Sequence, residues 1–295
     1  MLPIQSDKSI LLITLDSCRY DTFVSSDASA IKAVGPLHRA MAPGNFTYAS
    51  HSAIFVGFTP GVADLRQPFA NPKIGRIFRL SGSTAPAKGS EHFVLEGRTI
   101  IEGLKREGYK TYGTGGVRWL DPHTPTGAML VRDFDEFAFF AYHGLQKQMQ
   151  WIETKLPRDG QPVMVFVNVG ETHVPYWHEG AAWSKDDNPC ISYGQGNDLE
   201  KCRQRQRACL EYADRQLAPL IEAFARSNIV ICADHGDAWG EDGLWEHSIH
   251  HEKVLEVPLL YRLATGVKHQ PKPAPLPKLP TTFRTPKVVY RTPPA

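Results

Sequence analysis

The chain has 295 residues, of which 33 are Lys or Arg and 31 are Asp or Glu, so its formal net charge is only +2. Six basic residues and no acidic ones fall in the last 28 positions, which leaves residues 1–267 with 27 basic and 31 acidic side chains. Residues 1–267 therefore lack the excess of Lys and Arg that binding along a phosphate backbone requires, so we expect no nucleic-acid-binding surface. With 42% hydrophobic residues, the chain can bury a substantial core, which excludes wholesale disorder.

The apolar runs of this sequence are short. The longest, at residues 10–15 and 163–169, fall well below the roughly 20 residues that cross a bilayer, and the first residues do not resemble a secretory signal. We therefore expect no membrane insertion and a cytoplasmic location. The five cysteines are odd in number and form no CxxC pair, so neither a disulfide framework nor a cysteine zinc site is indicated.

Strand-like and helix-like segments alternate along residues 1–264, which is typical of an α/β protein with a largely parallel sheet. Residues 9–15, 162–169 and 228–233 are rich in β-branched and apolar side chains at successive positions, which predicts strands buried on both faces. Helices are expected at residues 99–107, at 145–155 and over a long stretch from about 198 to 226.

The end of the chain has a different composition. From about residue 265 it carries eight prolines between Pro271 and Pro294 and no helical period, which favours an extended arm or disorder. We place the catalytic domain at 1–264 and a proline-rich basic tail at 265–295. The tail is expected to be a docking or homo-oligomer contact segment, or disordered.

Acidic residues follow two of the three predicted strands. Asp16 comes directly after the first, and Asp234, His235 and Gly236 come directly after the last. Ligands of an open α/β sheet bind outside the carboxyl ends of its strands, so these residues are expected to converge. Two carboxylates and an imidazole suit zinc, manganese or a similar divalent cation. A strand end that is merely capped by these side chains is the alternative.

The segment Ala42-Pro-Gly-Asn-Phe-Thr-Tyr-Ala-Ser-His51 predicts a loop that leads into a short helix, whose free N–H groups would favour an anion. A metal could activate the hydroxyl of Thr47 there as a nucleophile, although a simple N-cap role is the alternative. His173 follows the second predicted strand, and His247 lies thirteen residues beyond Asp234. Both histidines lie beyond the end of a predicted strand, where groups that contact the substrate are needed. His250 and His251 are weaker candidates, because only their closeness to His247 in the sequence supports them.

Taken in order, these segments resemble the alkaline phosphatase superfamily, in its sulfatase and phosphoethanolamine or phosphoglycerol transferase branch. The run DHGDAWGEDGLWEHS is similar to the DHG motif of the family and its later glycine and histidine, and VPL follows at residues 257–259. Thr47 and Ser50 match the nucleophile helix, and Thr172-His173-Val-Pro-Tyr176 matches a THxPY element. The likeness extends over about residues 8–262.

The resemblance implies a three-layer α/β/α sandwich with a mostly parallel central sheet, and it implies roles for single residues. Asp16, Asp234 and His235, with the Oγ1 atom of Thr47, would hold one or two divalent ions, most simply zinc or manganese, with calcium or magnesium as alternatives. Thr47 would form a phosphothreonine intermediate. The residues that would contact the phosphoryl group, protonate the leaving group or line the substrate site are His173, His247, Arg19, Asn45 and His51.

Some of these residues have plainer interpretations. Arg19 could form a structural salt bridge, and His51 could simply pack in the helix. The side chain of Cys18 is best explained as small and buried. Glu171, Asp121 and His123 remain further contacts to consider at the substrate or metal.

Departures from the family pattern narrow the expected chemistry. Sulfatases place Cys or Ser in a C/S-x-P-x-R motif that is oxidised to formylglycine, whereas this chain has Thr47-Tyr-Ala-Ser-His51, and threonine cannot form formylglycine. Ser17 stands where sulfatases have a second acid, and His247 where they have a lysine. The sequence therefore predicts a metal-dependent phosphoric ester hydrolase or phosphotransferase that acts on a soluble small molecule. A sulfuryl or phosphonate ester hydrolase and a non-catalytic metal-binding relative are the alternatives.

Overall fold

The structure is a computed structural model that describes residues 1–57, 98–192 and 194–264, with the backbone alone of residues 78–81 and 92–95. The predicted tail, 265–295, lies outside the described residues. The strands are β1 Ile10–Leu15, β2 His38–Met41, β3 Phe78–Ser81, β4 His92–Leu95, β5 Lys110–Gly115, β6 Glu136–Phe139, β7 Val163–Val169, β8 Asn228–Ala233, β9 Ala238–Trp239, β10 Trp245–Glu246 and β11 Glu256–Arg262. The α-helices are α1 Tyr20–Ser25, α2 Ser29–Lys32, α3 Thr47–Val56, α4 Ile100–Arg106, α5 Pro125–Val131, α6 Leu145–Lys155, α7 Leu199–Ala223 and α8 Glu252–Leu255.

Seven of these strands form one sheet in the order β2-β11-β8-β1-β7-β5-β6. The five strands from β8 to β6 pair in parallel, and β11 pairs antiparallel with both β8 and β2. The three strands predicted from sequence are β1, β7 and β8, which are neighbours at the middle of the sheet. Their apolar runs are explained by that position, because a central parallel strand is covered on both faces.

Helices cover both faces of the sheet, as the three-layer prediction requires. In β7 every side chain is buried: Val163, Val165 and Val167 face one hydrophobic cluster, and Met164 and Phe166 face the other. The first cluster includes buried residues of α1, α2, α6 and α7, and the second includes residues of α3, α4 and α5. The fold class predicted from sequence, an α/β/α sandwich with a mostly parallel sheet, is confirmed.

The three predicted helices are present: α6 has the predicted bounds, and α4 and α7 are slightly shorter than predicted. Helix α4 begins after Thr99, whose Oγ1 accepts a hydrogen bond from the N–H of Glu102, and α7 begins after Asp198, which caps the N–H of Lys201. The apolar stripe of α7 is buried, as its spacing predicts. Among the described residues, no helix is both long enough and apolar enough to span a membrane.

Sheet order determines where polar groups can meet. Because β8, β1 and β7 are adjacent and parallel, their carboxyl ends lie side by side at one edge of the sheet. Leu15 is aligned with both Ala233 and Val169, so the residues that follow these three strands emerge together. This edge carries the candidate site.

Candidate metal and phosphoryl-transfer site

Three buried side chains converge at the carboxyl ends of β1 and β8. Single ligand atoms of Asp16, Asp234 and His235 lie within 4.8 Å of one another, and all three side chains are inaccessible to solvent. The Nε2 atom of His235 is 3.8 Å from Oδ1 of Asp16 and 3.5 Å from Oδ2 of Asp234. The convergence predicted from the strand ends is therefore present in the structure.

The hydroxyl of Thr47 points into the same cluster. Its Oγ1 lies 3.4 and 3.5 Å from the two carboxylate oxygens of Asp16 and 3.4 Å from Nε2 of His235. Phe46, not Thr47, is the N-cap residue of α3, and Thr47 is the first residue inside the helix. The N-cap alternative therefore does not describe Thr47, whose hydroxyl instead faces the carboxylates.

The chemistry of this cluster fits a divalent cation. Burial and the nearby charge of Asp16 raise the pKa of Asp234 well above its ordinary value. The Oδ2 atom of Asp234 has no hydrogen-bond partner among the described residues, although it is buried. Two buried carboxylates in contact with one imidazole repel each other unless a proton or a cation lies between them. Oxygen and nitrogen donors of these kinds suit zinc and manganese.

The tautomer of His235 is consistent with a ligand role. Its Nδ1 lies 2.9 Å from the carbonyl oxygen of Gly236, which can only accept, so Nδ1 carries the hydrogen and Nε2 presents a lone pair to the cluster. Burial and the neighbouring His247 lower the pKa of His235 to about 4. The ring is therefore neutral at pH 7, as a metal ligand must be.

Backbone and side-chain groups hold the two carboxylates in place. The N–H groups of Ser17 and His235 both donate to Oδ1 of Asp234, at 3.1 and 3.0 Å. Ser17 reaches that position with φ of 58°, a left-handed conformation that costs free energy in a residue other than glycine. On the other carboxylate, Nδ2 of Asn168 donates to Oδ2 of Asp16 at 3.0 Å.

His51 connects the nucleophile helix to the sheet rather than facing a substrate. Its ring is buried, and burial lowers its pKa. Nδ1 donates to the carbonyl oxygen of Thr47 at 2.8 Å, and Nε2 accepts from the hydroxyl of Thr14 in β1 at 2.9 Å. The same Nδ1 lies 3.6 Å from Oδ2 of Asp234. His51 therefore links Thr47 to β1 and lies beside the carboxylate of Asp234.

A second polar cluster adjoins the first and contains His235, Asp237 and His247. Nδ1 of His247 donates to Oδ1 of Asp237 at 2.7 Å. Burial opposes charge on His247, but the carboxylate of Asp237 outweighs it and raises the pKa of His247 above its ordinary value. Asp237 also accepts a hydrogen bond from the hydroxyl of Tyr176 at 2.7 Å. This pair places an imidazole whose pKa is raised beside Asp16, Asp234 and His235.

His173 completes a row of rings that leads out of the site. The ring centroids of His235 and His247 are 4.5 Å apart, those of His247 and His173 are 5.2 Å apart, and Tyr142 follows at 5.7 Å from His173. Nδ1 of His173 donates to the carbonyl oxygen of Val174 at 2.8 Å, which orients the ring. The structure therefore brings His173 and His247 together next to the first cluster.

Arg19 lies close to the site but is fully engaged by the protein. Its guanidinium stacks over the ring of Trp239 at 4.1 Å, forms ion pairs with Asp21 and Glu241, and donates to the carbonyl oxygen of Asp237. Only 3% of the side chain is exposed. It anchors the segment that carries Asp237, which matches the structural salt bridge considered from sequence.

The remaining sequence candidates lie around this centre. Asn45 is partly buried, and its carbonyl oxygen accepts from the N–H of Ser248, which ties the nucleophile loop to the segment of His247. Asp121 pairs with the exposed His123. Glu171 is buried and accepts from the N–H of Leu145 at the start of α6.

Two residues of the site were not predicted from sequence. Asp237 belongs to the DHGD run, where its spacing of three from Asp234 could have suggested it. Asn168 is the single polar residue in the buried strand β7, and that contrast was the available signal.

Known proteins were compared with this chain by sequence and by structure. Neither a protein-family model nor a curated protein matches the sequence. By structure, the chain is similar to the C-terminal periplasmic domain of phosphoethanolamine transferase EptC from Campylobacter jejuni, with a TM-score of 0.59 and 13% identity. That match covers 89% of this chain and 83% of the other.

Two further solved structures give the same result. The C-terminal periplasmic domain of EcEptC from Escherichia coli, in complex with Zn, has a TM-score of 0.57 and 14% identity, covering 90% of this chain and 78% of that one. An alkaline phosphatase superfamily protein from Vibrio parahaemolyticus has a TM-score of 0.53 and 14% identity, covering 88% and 61%. At such identities the likeness shows the fold alone, an alkaline phosphatase-like α/β/α sandwich, in agreement with the fold predicted from the sequence motifs.

Proposed function

We propose that this chain is a divalent-metal-dependent phosphoric ester hydrolase or phosphotransferase that acts through Thr47. The observation that carries the proposal is the position of the Thr47 hydroxyl, 3.4 to 3.5 Å from the carboxylate of Asp16 and the free nitrogen of His235. The orphaned oxygen of Asp234 lies on the same cluster. A nucleophile held against a cation site is the arrangement that metal-assisted attack on phosphorus requires.

Asp16, Thr47, Asp234 and His235 would hold the ion. When bound, a divalent metal lowers the pKa of a ligating hydroxyl and stabilises negative charge on phosphoryl oxygens. Zinc or manganese is the proposed ion, in one or two copies, and the zinc complex of the similar E. coli domain supports this choice. Calcium and magnesium are less suited to an imidazole ligand.

The chain's own residues account for bond making and proton movement. Oγ1 of Thr47 attacks phosphorus, the bond from phosphorus to the substrate's alcohol oxygen breaks, and a phosphothreonine forms. His247, whose pKa the carboxylate of Asp237 raises, gives its Nε2 proton to the departing alcohol. Water or an acceptor alcohol then attacks the phosphothreonine and gives its proton to His247. The bond from phosphorus to Oγ1 breaks, and Oγ1 regains the proton that it released to solvent in the first step. His173, next to His247, contacts the phosphoryl oxygens.

The site also bears on the alternatives. Threonine cannot be converted to formylglycine, which disfavours sulfuryl ester hydrolysis. All four proposed metal-site residues are present, which disfavours a binding protein without turnover. The substrate is proposed to be a soluble phosphate ester, and the cytoplasmic location stays a prediction, since two of the similar structures are periplasmic domains.

Thr47→Ala tests the proposal. The variant is expected to lose at least about 10³-fold in metal-dependent kcat/KM with phosphate esters, while Thr47→Ser retains a measurable part. Ser50→Ala is the matched control, because Ser50 lies one turn along α3, is buried, and its hydroxyl has no hydrogen-bond partner among the described residues. Rapid acid quench of wild type should also trap one added phosphoryl group on Thr47.

Three outcomes would contradict the proposal. Full turnover in Thr47→Ala would remove Thr47 from the mechanism. Faster turnover of aryl sulfates or phosphonates than of phosphate esters would favour the other hydrolase class. Bound zinc or manganese without turnover of any ester would favour the metal-binding protein.

A further inference from the structure

A cavity of about 380 Å³ lies beside the nucleophile helix. It is lined by Arg118, Trp119, Thr124, Thr126 and Tyr142, which come from the segments that follow β5 and β6. Its volume falls in the range of small-molecule sites, which is roughly 300–1,000 Å³. None of the proposed metal ligands lines it, so it is a separate space next to the reacting centre.

Aromatic contacts connect the cavity directly to the reacting residues. The ring of Trp119 packs against both Phe46 and Tyr48, each at 5.7 Å between centroids, and these two residues flank Thr47 in the sequence. The ring of Tyr142, a second lining residue, packs against His173 at 5.7 Å between centroids. A molecule in the cavity therefore contacts Trp119, which packs on both sequence neighbours of Thr47, and Tyr142, which packs on His173.

The lining favours a particular kind of molecule. Trp119 and Tyr142 are each 41% exposed, which is high for large aromatic side chains, and they present ring surfaces to the cavity. Aromatic surfaces of this kind bind flat or ring-shaped groups. Within the part of the chain that the structure describes, none of the five residues that line the cavity is acidic, so these residues do not repel an anion.

Arg118 provides the charge. Its guanidinium makes no hydrogen bond or ion pair among the described residues, apart from the longer-range attraction of Asp121. Oδ1 of Asp121 is already occupied by the ring and the N–H of His123. The backbone of Arg118 lies near the hydroxyl of Tyr142 and opposes the rise that burial causes in the pKa of Tyr142. Guanidinium groups with free donors at a cavity wall bind carboxylate or phosphate in a bidentate manner.

We propose that this cavity binds the alcohol portion of the substrate, and that this portion contains a ring and carries an anionic group of its own. The ring lies between Trp119 and Tyr142, and the anionic group pairs with Arg118. The inference rests on the proposed function, because it assigns the substrate class of the same site.

The test uses three esters that differ by one feature at a time: ethyl phosphate, phenyl phosphate and 4-carboxyphenyl phosphate, each also prepared as the methyl diester. Wild type is expected to prefer the carboxyphenyl ester to the phenyl ester by about tenfold or more in kcat/KM, as a charge-assisted contact allows. Phenyl should likewise be preferred to ethyl. Arg118→Gln should bring the carboxyphenyl to phenyl ratio close to one, and Trp119→Leu should reduce the phenyl to ethyl ratio.

The matched control is Arg158→Gln, which removes an exposed guanidinium from the loop before β7. This loop lies at the amino-terminal ends of the strands, opposite the candidate site. This variant should keep every ratio of the wild type, and circular dichroism should show the same fold for all variants. Turnover of these esters with ratios unaffected by Arg118→Gln overturns the assignment of the cavity and leaves the proposed function standing. No turnover of any ester by wild type refutes the proposed function and this inference with it.

Discussion

Glu171 offers a quantitative test of how the fold treats a buried acid. Burial raises the pKa of its carboxyl from 4.5 to about 7, although backbone N–H groups, among them that of Leu145, oppose the shift. Its Oε2 has no hydrogen-bond partner among the described residues. Each pKa unit corresponds to about 1.36 kcal/mol, so an ionised Glu171 destabilises the folded state by about 3 kcal/mol.

Glu171→Gln removes the cost of ionising a buried carboxyl and keeps the hydrogen bond from the N–H of Leu145. The amide has no charge, and its oxygen can still accept from the N–H of Leu145. In the unfolded wild type the carboxyl loses its proton above pH 4.5, whereas in the folded state it keeps it until about 7. Wild type therefore loses stability as pH rises through that window, and the variant does not. The two should match at low pH, and above the window the variant should be more stable by about 3 kcal/mol.

Urea unfolding with chelator present, at about pH 4.5 and about pH 8.5, measures the difference by linear extrapolation. Glu179→Gln is the control, since Glu179 is exposed and its replacement should change stability equally at both pH values. If Glu171→Gln differs from wild type by the same amount at both pH values, or is no more stable at the higher one, then Glu171 is not held neutral by burial.

Three further predictions concern the site and the strand ends that support it. Asp237→Asn removes the carboxylate that raises the pKa of His247. The fall of kcat/KM at alkaline pH should therefore begin at a lower pH than in wild type. An unchanged pH profile would show that this fall does not report the loss of a proton from His247. Asp234→Asn should weaken divalent-metal binding, measured by titration calorimetry, by at least about tenfold. It should also stabilise the metal-free protein, because burial and a neighbouring carboxylate raise the pKa of Asp234; wild-type metal affinity would contradict its role as a ligand. Gly116→Ala places a Cβ 2.6 Å from the nitrogen of Gly170, and this should lower the free energy of unfolding by about 1–3 kcal/mol; an unchanged urea midpoint would show that the two strand ends can move apart.

The sequence predicted the centre of the sheet better than its edges. Strands β1, β7 and β8 are recognisable because burial on both faces requires continuous apolar runs. By contrast, β2 and β6 are four-residue edge strands with partly exposed and mixed side chains, so no period distinguishes them from loops. Their existence depends on neighbours that are distant in sequence.

The same distinction applies to the site. Ligands of an open α/β sheet bind outside the carboxyl ends of its strands. Recognising the strands was therefore enough to predict that Asp16, Asp234 and His235 lie close together. The pairing of Asp237 with His247 depends on how the segment after β8 folds back, and Arg19 and Trp239 determine that path through their stack. The role of Asn168 depends on the register of β7 against β1. Such contacts are set by tertiary structure, which a local pattern does not encode.

The pairing of β1 with β8 also bears on how the protein is made. Strand β1 lies between β7 and β8, and its partners on β8 are 218 positions later in the chain. During synthesis Asp16, the first carboxylate of the buried cluster, leaves the ribosome long before Asp234 and His235 exist. A growing chain therefore carries an apolar, unpaired strand edge until β8 emerges, a condition that favours aggregation and slow folding. Asp16, Asp234 and His235 can come together only after β8 has been made, and a chain that stops before the end of β8 lacks two of these three residues.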